Sequence, residues 1–364
     1  MALFSKSRPI IASVEPSVKA AVGASNYSPL TSFVSWQNGT RRARSMTLPV
    51  IARGRDLICG TISGMRLQMY REMWNGEEME MIPQAPRSWL SRIDKSVPNQ
   101  FILSYTVDDL IFEGRAFWLV TERSADFYPK NFTRLPAAMC QTLDQQGEIF
   151  FGPSKQVVFN GIQLDPNDLV QFISPMQSLN TTAARAVEIA LRVEDSRLRA
   201  SQSVLPQGYL KQTGGEPLSS QELSDLAAQF NLARTSGNST AALNEFLEFV
   251  PNTATPDKMM MIESADYSAR DLGRILGVPS YLLSVSIGAY SYQSSQQSRI
   301  DLWTYACKGL ADCITETLSS DNVLPHGTMV HFDTEAFLAE AYMDAHGDDR
   351  MNETDIPLDA LIEN

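Results

Sequence analysis

Three kinds of side chain in this sequence could carry chemistry: imidazoles, thiols and paired carboxylates. The histidines are His326, His331 and His346, all close to the C-terminus, and no H-E-x-x-H pair or Cys/His cluster supplies the ligands of a zinc site. His326 and His331 are expected to flank a strand as structural histidines. Cys59, Cys140, Cys307 and Cys313 are scattered and form no C-x-x-C pair, which fits a reducing compartment and excludes a disulfide scaffold. Two carboxylates can act as acid and base in a hydrolase, and adjacent acids occur at Asp108–Asp109 and Asp348–Asp349. The expectation for both is a solvent-facing pair. There is no G-x-x-x-x-G-K-[ST] phosphate loop, no G-x-G-x-x-G after a strand and no G-x-S-x-G elbow. The reading is a chain with no catalytic residues, no metal site and no cofactor.

Two other features remain. Arg185, Arg192 and Arg199 repeat every seven residues with Glu188 and Asp195 between them, placing all five near one helix face. Glu188–Arg192 and Asp195–Arg199 are i, i+4 pairs with the acid first, the favourable order, each worth about 0.2–0.5 kcal/mol on a surface. A second stripe, with Ala186, Ala190 and Val193, is apolar and small. The row is either an ordinary solvated face or a contact between copies of the chain in a ring. The stretch Ser284–Ser295 has no helical period and many small polar residues, so it is expected to be a loop. Val285, Ile287, Tyr290 and Tyr292 make it too apolar for a simple linker.

The elements that position these residues follow from periodicity. Val50, Ile51, Leu57, Ile58, Ile62 and Met65 recur at helical spacing behind Pro49. Gly54, Gly60 and Gly64 in that stretch suggest that another backbone packs close to it. Phe101–Phe112 reads as a helix ended by Gly114, Ala116–Thr121 as a strand, and Glu148–Phe151, Gln156–Phe159 and Leu169–Ile173 as short strands. Thr182–Leu205 is a long helix. Gly208–Leu210 and Phe246–Val250 read as strands around a helix from Leu218 to about Thr235, and Asp266–Leu276 is helical. From Ile300 to Leu318 the apolar spacing predicts a further long helix.

Length and charge set the frame. At roughly 100–200 residues per domain, 364 residues imply two or three structural units. A hydrophobic fraction of 43% with 20% charged residues supports a sizeable core. No apolar run of 18 residues occurs, which argues against a membrane-spanning helix, and the opening residues do not read as a secretory signal. The net charge of −12 is the opposite of what a protein that grips nucleic acid carries. Residues 333–364 hold ten acids and only Arg350 as a base, whereas residues 1–45 hold six basic residues against Glu15 alone. Both ends are expected to be solvated, the first as a flexible basic arm.

In D-L-I-C-G-T-I-S-G (Asp56–Gly64), G-R-A-F (Gly114–Phe117), L-P-Q-G-Y-L (Leu205–Leu210), L-S-S-Q-E-L (Leu218–Leu223) and above all R-I-L-G-V-P-S-Y-L-L (Arg274–Leu283), the chain resembles the portal proteins of tailed bacteriophages. The resemblance runs from about Met46 to Phe337 and rests on the order and spacing of these motifs. It implies an α+β portal-type fold: a basic arm (1–45), a wing (46–181), a stem helix (182–205), an α/β clip (206–257), a second stem helix and turn (258–283), a tunnel loop (284–293), a long helix returning to the wing (294–331) and a short acidic crown or tail (332–364). It implies a homo-oligomeric ring, usually a dodecamer, at one capsid vertex of the virion, assembled in the host cytoplasm. Double-stranded DNA would be packaged and ejected through it. Its partners would be the terminase large subunit, which supplies the ATPase, the major capsid or scaffolding protein, and a head–tail connector. Carried onto this sequence, the DNA-facing loop is Val285, Ser286, Ile287, Gly288, Ala289, Tyr290, Ser291, Tyr292 and Gln293, with Ser291-Tyr292-Gln293 where such loops commonly carry a Ser-Asn or Thr-Asn step. The charged row of the stem helix is Arg185, Glu188, Arg192, Asp195 and Arg199. The alternatives are a phage hydrolase with a carboxylate pair and a head–tail adaptor that binds only protein.

Overall fold

The structure is a computed structural model that describes residues 39–77, 79–145, 152–202, 208–215, 219–235, 246–251, 261–283, 295–334 and 337. It forms two compact units, Met1–Ala184 with Leu272–Asn364, and Arg185–Asp271.

In the first unit, helix α1 (residues 39–45) leads into α2 (Pro49–Gly64), and the strands β1 (Leu67–Trp74) and β2 (Met79–Pro83) form a hairpin. After α3 (Ser88–Ser91) and α4 (Asn99–Glu113) come β3 (Arg115–Arg123), β4 (Pro129–Leu135), β5 (Cys140–Thr142), β6 (Val157–Phe159), β7 (Ile162–Gln163) and β8 (Leu169–Ile173). The short helix α5 (Leu179–Thr182) closes this stretch. The second unit holds most of α6 (Ala184–Gln202), β9 (Gly208–Gln212), α7 (Ser220–Thr235), β10 (Leu247–Pro251) and most of α8 (Met261–Leu276). The first unit is completed by α9 (Ser295–Leu302), α10 (Lys308–Leu318) and β11 (Thr328–Phe332).

The strands make four antiparallel sheets: β11-β1-β2, β4-β3-β8, β5-β6-β7 and the ribbon β9-β10. Strand β3 shows how alternation builds the core. On one face Trp118 packs against Phe132 and Phe172, with ring centroids 5.5 and 4.8 Å away, and Phe132 meets Trp89 edge-on at 5.4 Å. Trp118 Nε1 donates to Thr106 Oγ1 of α4 at 2.8 Å, so the indole N–H is satisfied inside the core. On the other face Phe117 joins Leu135, Val157 and Leu169. Helix α4 stops at Gly114, whose φ of 71° is a left-handed cap that lets its N–H reach the Leu110 carbonyl.

The motif Arg274–Leu283 is a junction. Gly277 ends α8 with φ 68°, and a Cβ there would lie 2.8 Å from the Tyr305 carbonyl oxygen, so both conformation and space demand glycine. Tyr305 belongs to a π-helical turn, Trp303–Cys307, that joins α9 to α10 and interrupts the uniform helix expected over Ile300–Leu318. From the same motif, Leu276 and Leu283 close over Gly54 of α2, where a Cβ would lie 2.7 Å from Leu276 Cδ1. The close approach expected at the α2 glycines therefore exists at Gly54 only, and side chains make it, since Gly60 and Gly64 have nothing within 4 Å of a Cβ position.

Two expectations about charge are corrected. Residues 39–45 are helical, and Arg42 is bound to the core rather than solvated: Nε and Nη2 donate to the two Asp108 carboxylate oxygens at 2.8 and 2.9 Å. Arg55 Nε of α2 donates to Asp108 Oδ1 at 2.7 Å. Arg134 of β4 serves the next acid, donating from Nε and Nη2 to Asp109 Oδ2 at 3.0 and 2.5 Å. Asp108 and Asp109 are 2% and 7% exposed, so these adjacent acids are buried and not on a solvated face. The Arg55 and Arg134 guanidiniums also lie 5.3 and 5.2 Å from the Tyr105 ring centroid. Helix α4 thereby receives α1, α2 and β4 through one ionic cluster.

Elsewhere the differences are smaller. The helix expected over Thr182–Leu205 breaks at Ala183 and resumes as α6, while Asp266–Leu276 extends back to Met261. His331 lies inside β11 instead of flanking it. The run Glu148–Phe151 lies outside the described residues. Gly277→Ala is expected to cost about 2 kcal/mol by combining positive-φ strain with the clash at Tyr305. Gly54→Ala should cost less, because the end of the Leu276 side chain can turn; thermal unfolding of the two variants checks the order. Asp108→Ala strands two guanidiniums and should lose roughly 2–4 kcal/mol in urea unfolding, less than a fully buried pair because Arg42 is a third exposed.

Candidate functional site

The charged row sits on α6. Its residues face solvent, Arg192 with a side chain 78% exposed, and 3.6-residue geometry puts them on the side away from the buried Val187 and Ala190. Arg192 Nε donates to Glu188 Oε1 at 3.2 Å, as its i, i+4 spacing requires. Arg197 also pairs with Glu194 at 2.9 Å on this helix. Acid and base thus alternate without a basic stripe, and single exposed pairs of this kind contribute little to stability.

The unit Arg185–Asp271 is notable for what it leaves uncovered. Among those of its side chains whose burial is described, Val187 and Ala190 are the buried ones. Ile189 and Leu198 on α6, Leu223 and Leu232 on α7, and Ile262 and Tyr267 on α8 are 46–69% exposed. Its local structure is nonetheless well specified. Ser219 and Glu222 form a capping box for α7, with Glu222 Oε2 accepting from the Ser219 N–H at 2.8 Å. β9 and β10 pair from Leu247↔Gln212 to Pro251↔Gly208. Large apolar side chains left exposed on three neighbouring elements of the chain are the kind of surface that marks an interaction site.

Val285, Ser286, Ile287, Gly288, Ala289, Tyr290, Ser291, Tyr292 and Gln293 lie outside the described residues. The described residues nearest them in sequence are well placed: the turn Ser280–Leu283 ends on the buried Leu283 against Gly54, and α9 begins at Ser295.

His346 and the pair Asp348–Asp349 lie outside the described residues, and the candidate groups among the described residues are paired or buried. Asp108 is held through both oxygens by Arg42 and Arg55, and Asp109 through Oδ2 by Arg134, although burial still pushes the Asp109 carboxyl up to about 7. Cys59, Cys307 and Cys313 are buried, and burial pushes the Cys59 and Cys307 thiols up to about 12 and that of Cys313 to about 11, far from nucleophilic thiolates at neutral pH. Burial raises Cys140 as well. His326 Nδ1 lies 3.1 Å from Asp321 on the surface, and the His331 ring lies 6.1 Å from Tyr70. Among the described residues no group of three His, Cys, Asp or Glu side chains could hold a metal ion, and no helix is long and apolar enough to cross a membrane.

Sequence reasoning missed the Arg42–Asp108–Arg55 cluster. The available signal was its position, with three arginines before a helix start and two acids inside an otherwise apolar helix, which is uncommon without pairing. It also missed the β1–β2 hairpin, whose Met73, Trp74, Met79 and Met81 are 45–63% exposed, because its strands lack clean alternation.

Comparison with known proteins accounts for the architecture. The structure is similar to an HK97 family phage portal protein from Corynebacterium diphtheriae, with TM-score 0.67 and 21% identity over 82% of this chain and 97% of that one. It is also similar to a chain in the virion of a native gene transfer agent particle (TM-score 0.57, 13% identity, 94% of both chains) and to one in the neck of such a particle computed with C12 symmetry (TM-score 0.55, 14% identity, 91% and 93%). Two uncharacterised proteins match in sequence, one from Rickettsia felis at 30% identity over 128 residues and one from Rickettsia bellii at 24% over 235. The matches span 34% and 60% of this chain, and the chain spans about a third and three fifths of these curated relatives. The sequence itself matches the family described as phage portal protein over residues 49–345, and with four fifths of its length inside that match the chain belongs to the phage portal protein family.

Proposed function

We propose that this chain is the subunit of a portal ring at one vertex of a phage capsid, through which double-stranded DNA is packaged and ejected. The observation that carries this reading is the unit Arg185–Asp271, which exposes the large apolar residues Ile189, Leu198, Leu223, Leu232, Ile262 and Tyr267 on three helices. Head-to-tail association of copies covers such a surface and closes into a ring when the rotation permits. The neck particle computed with C12 symmetry supports a twelve-fold ring.

In this reading residues 46–181 are the wing, α6 and α8 the stem helices within 182–205 and 258–283, residues 206–257 the clip and residues 284–293 the tunnel loop. The helices after Ser294 return to the wing, and residues 332–364 form a short acidic crown. The clip docks the terminase large subunit and later the head–tail connector, the wing meets capsid or scaffolding protein, and assembly takes place in the host cytoplasm. The ring is a conduit without catalysis of its own. The hydrolase alternative is disfavoured because the adjacent carboxylates are each held by arginine.

Charge fits a conduit. Each Lys or Arg that contacts a phosphate adds sequence-independent affinity through counterion release, and a net charge of −12 with an acid–base row on α6 keeps that affinity low. Deleting Ile287–Tyr292 should leave ring assembly intact and impair packaging or retention of DNA; normal genome filling in that variant would rule out the tunnel-loop assignment. Changing Arg192 and Arg199 together to Glu should weaken subunit association, read as a loss of oligomer mass at a fixed concentration. An unchanged mass would place the row on a free face.

A further inference from the structure

In the sheet β11-β1-β2 one face carries large apolar side chains out beyond the core. Directly opposite residues of an antiparallel ladder share a face, as do residues two apart on one strand. The pairs Gln68↔His331, Glu72↔Met81 and Trp74↔Met79 therefore put Gln68, Tyr70, Trp74, Met79, Met81 and His331 on one side of the sheet. At its inner end this face forms one wall of a groove of about 950 Å³, and the other wall is Trp303 of the π-helical turn with Lys308, Asp312 and Thr315 of α10. At its outer end Trp74, Met79 and Met81 are 63%, 55% and 45% exposed.

The inner walls are set in advance. The Tyr70 hydroxyl donates to Gln68 Oε1, Gln68 Nε2 donates to Asp333 Oδ2 at 2.5 Å, and the Tyr70 ring lies 6.1 Å from that of His331. Trp303 is backed by Phe337, with ring centroids 6.5 Å apart, and it opens the turn Trp303–Cys307, a helical distortion of a kind that recurs at functional sites. The outer lip is adaptable, because methionine side chains mould to irregular partners. Apolar side chains that continue from a groove onto the open surface mark an interaction site, unlike single exposed hydrophobes. The border of this one is acidic: Glu72 stands opposite Met81, Glu77 is exposed at the hairpin turn and Asp312 is exposed on α10, with Lys308 as the opposing base.

We propose that this face is a docking site for a basic amphipathic helix of a partner protein, with the helix's apolar side chains between Trp303 and Met81 and its Lys or Arg side chains at Glu72 and Asp312. A helix is the element that covers a sheet face, since its apolar stripe at i, i+3, i+4 and i+7 meets the sheet along one line. Charge selects a basic partner over a second copy of this chain. Each copy brings a net charge of −12, and α6 sets three acids beside its four arginines. The site lies within the first unit, so it stands independently of the ring reading of Arg185–Asp271.

The test is a titration of the purified full chain with a synthetic helix of about five turns, built from Leu and Lys with one apolar face and carrying a photo-crosslinker. Trp74→Ser with Met79→Ser should weaken binding at least about tenfold, as expected for loss of an aromatic anchor. Glu72→Lys with Asp312→Lys should weaken it at least about fivefold. These four side chains lie at the surface or half-buried, so thermal unfolding should stay unchanged in both variants. Crosslinks should fall within Tyr70–Met81 and Trp303–Thr315. No binding, equal affinity for the parent chain and either double variant, or crosslinks confined to Arg185–Asp271 would overturn the proposal. Affinity for the peptide that falls as the chain's own concentration rises would mark a second copy as the occupant and overturn it equally.

Discussion

Helix α4 places two carboxylates side by side inside the first unit, and neither can stay ionised there without its own cation. Asp108 takes Arg42 and Arg55, and Asp109 takes Arg134. Because these arginines come from α1, α2 and β4, satisfying the acids fixes where three elements lie against α4. The aromatic core under β3 then has a frame to fill: Thr106, one turn before Asp109 on α4, accepts the Trp118 indole N–H. Apolar packing supplies most of the stabilisation in such a unit, yet packing alone tolerates small slips that a bidentate guanidinium–carboxylate contact does not. Removing an acid would leave buried positive charge, so the cluster is more costly to break than its net contribution implies.

The Arg274–Leu283 motif has a comparable role at the other end of α2. Gly277 lets the chain turn against the Tyr305 carbonyl, and Leu276 and Leu283 clasp Gly54. One short stretch thus ties the last turn of α8 from Leu272, α2 and the helical path after Ser295 together within the first unit. That is a physical reason for the motif to be the most specific part of the portal resemblance, although no residue in it needs to do chemistry.

Much of this was legible in the sequence where a local rule decides the outcome. α2, α4, β3, β8 and α7 follow from periodicity, Pro49, Gly114 and the Ser219–Glu222 spacing, each a short-range effect. The misses are all long-range. Arg42 and Asp108 are 66 residues apart, and nothing local tells a solvated basic cluster from one that meets a buried acid. The π turn at Trp303–Cys307 answers the approach of Gly277, which periodicity cannot register. For the functional surface, sequence spacing correctly put Glu188 against Arg192 and the row on one face of α6. It could not say what that face meets, because no short-range rule separates a solvated row from one that meets a neighbouring copy.

The central claim is that the uncovered helices of Arg185–Asp271 are covered by neighbouring copies in a closed ring. Native mass spectrometry of the purified full chain, with electron-microscopy class averages of the same sample, tests it most directly. The account predicts a closed ring of about twelve subunits with an axial opening wide enough for a DNA duplex. A compact dimer without an axial opening, persisting as concentration rises, would contradict it.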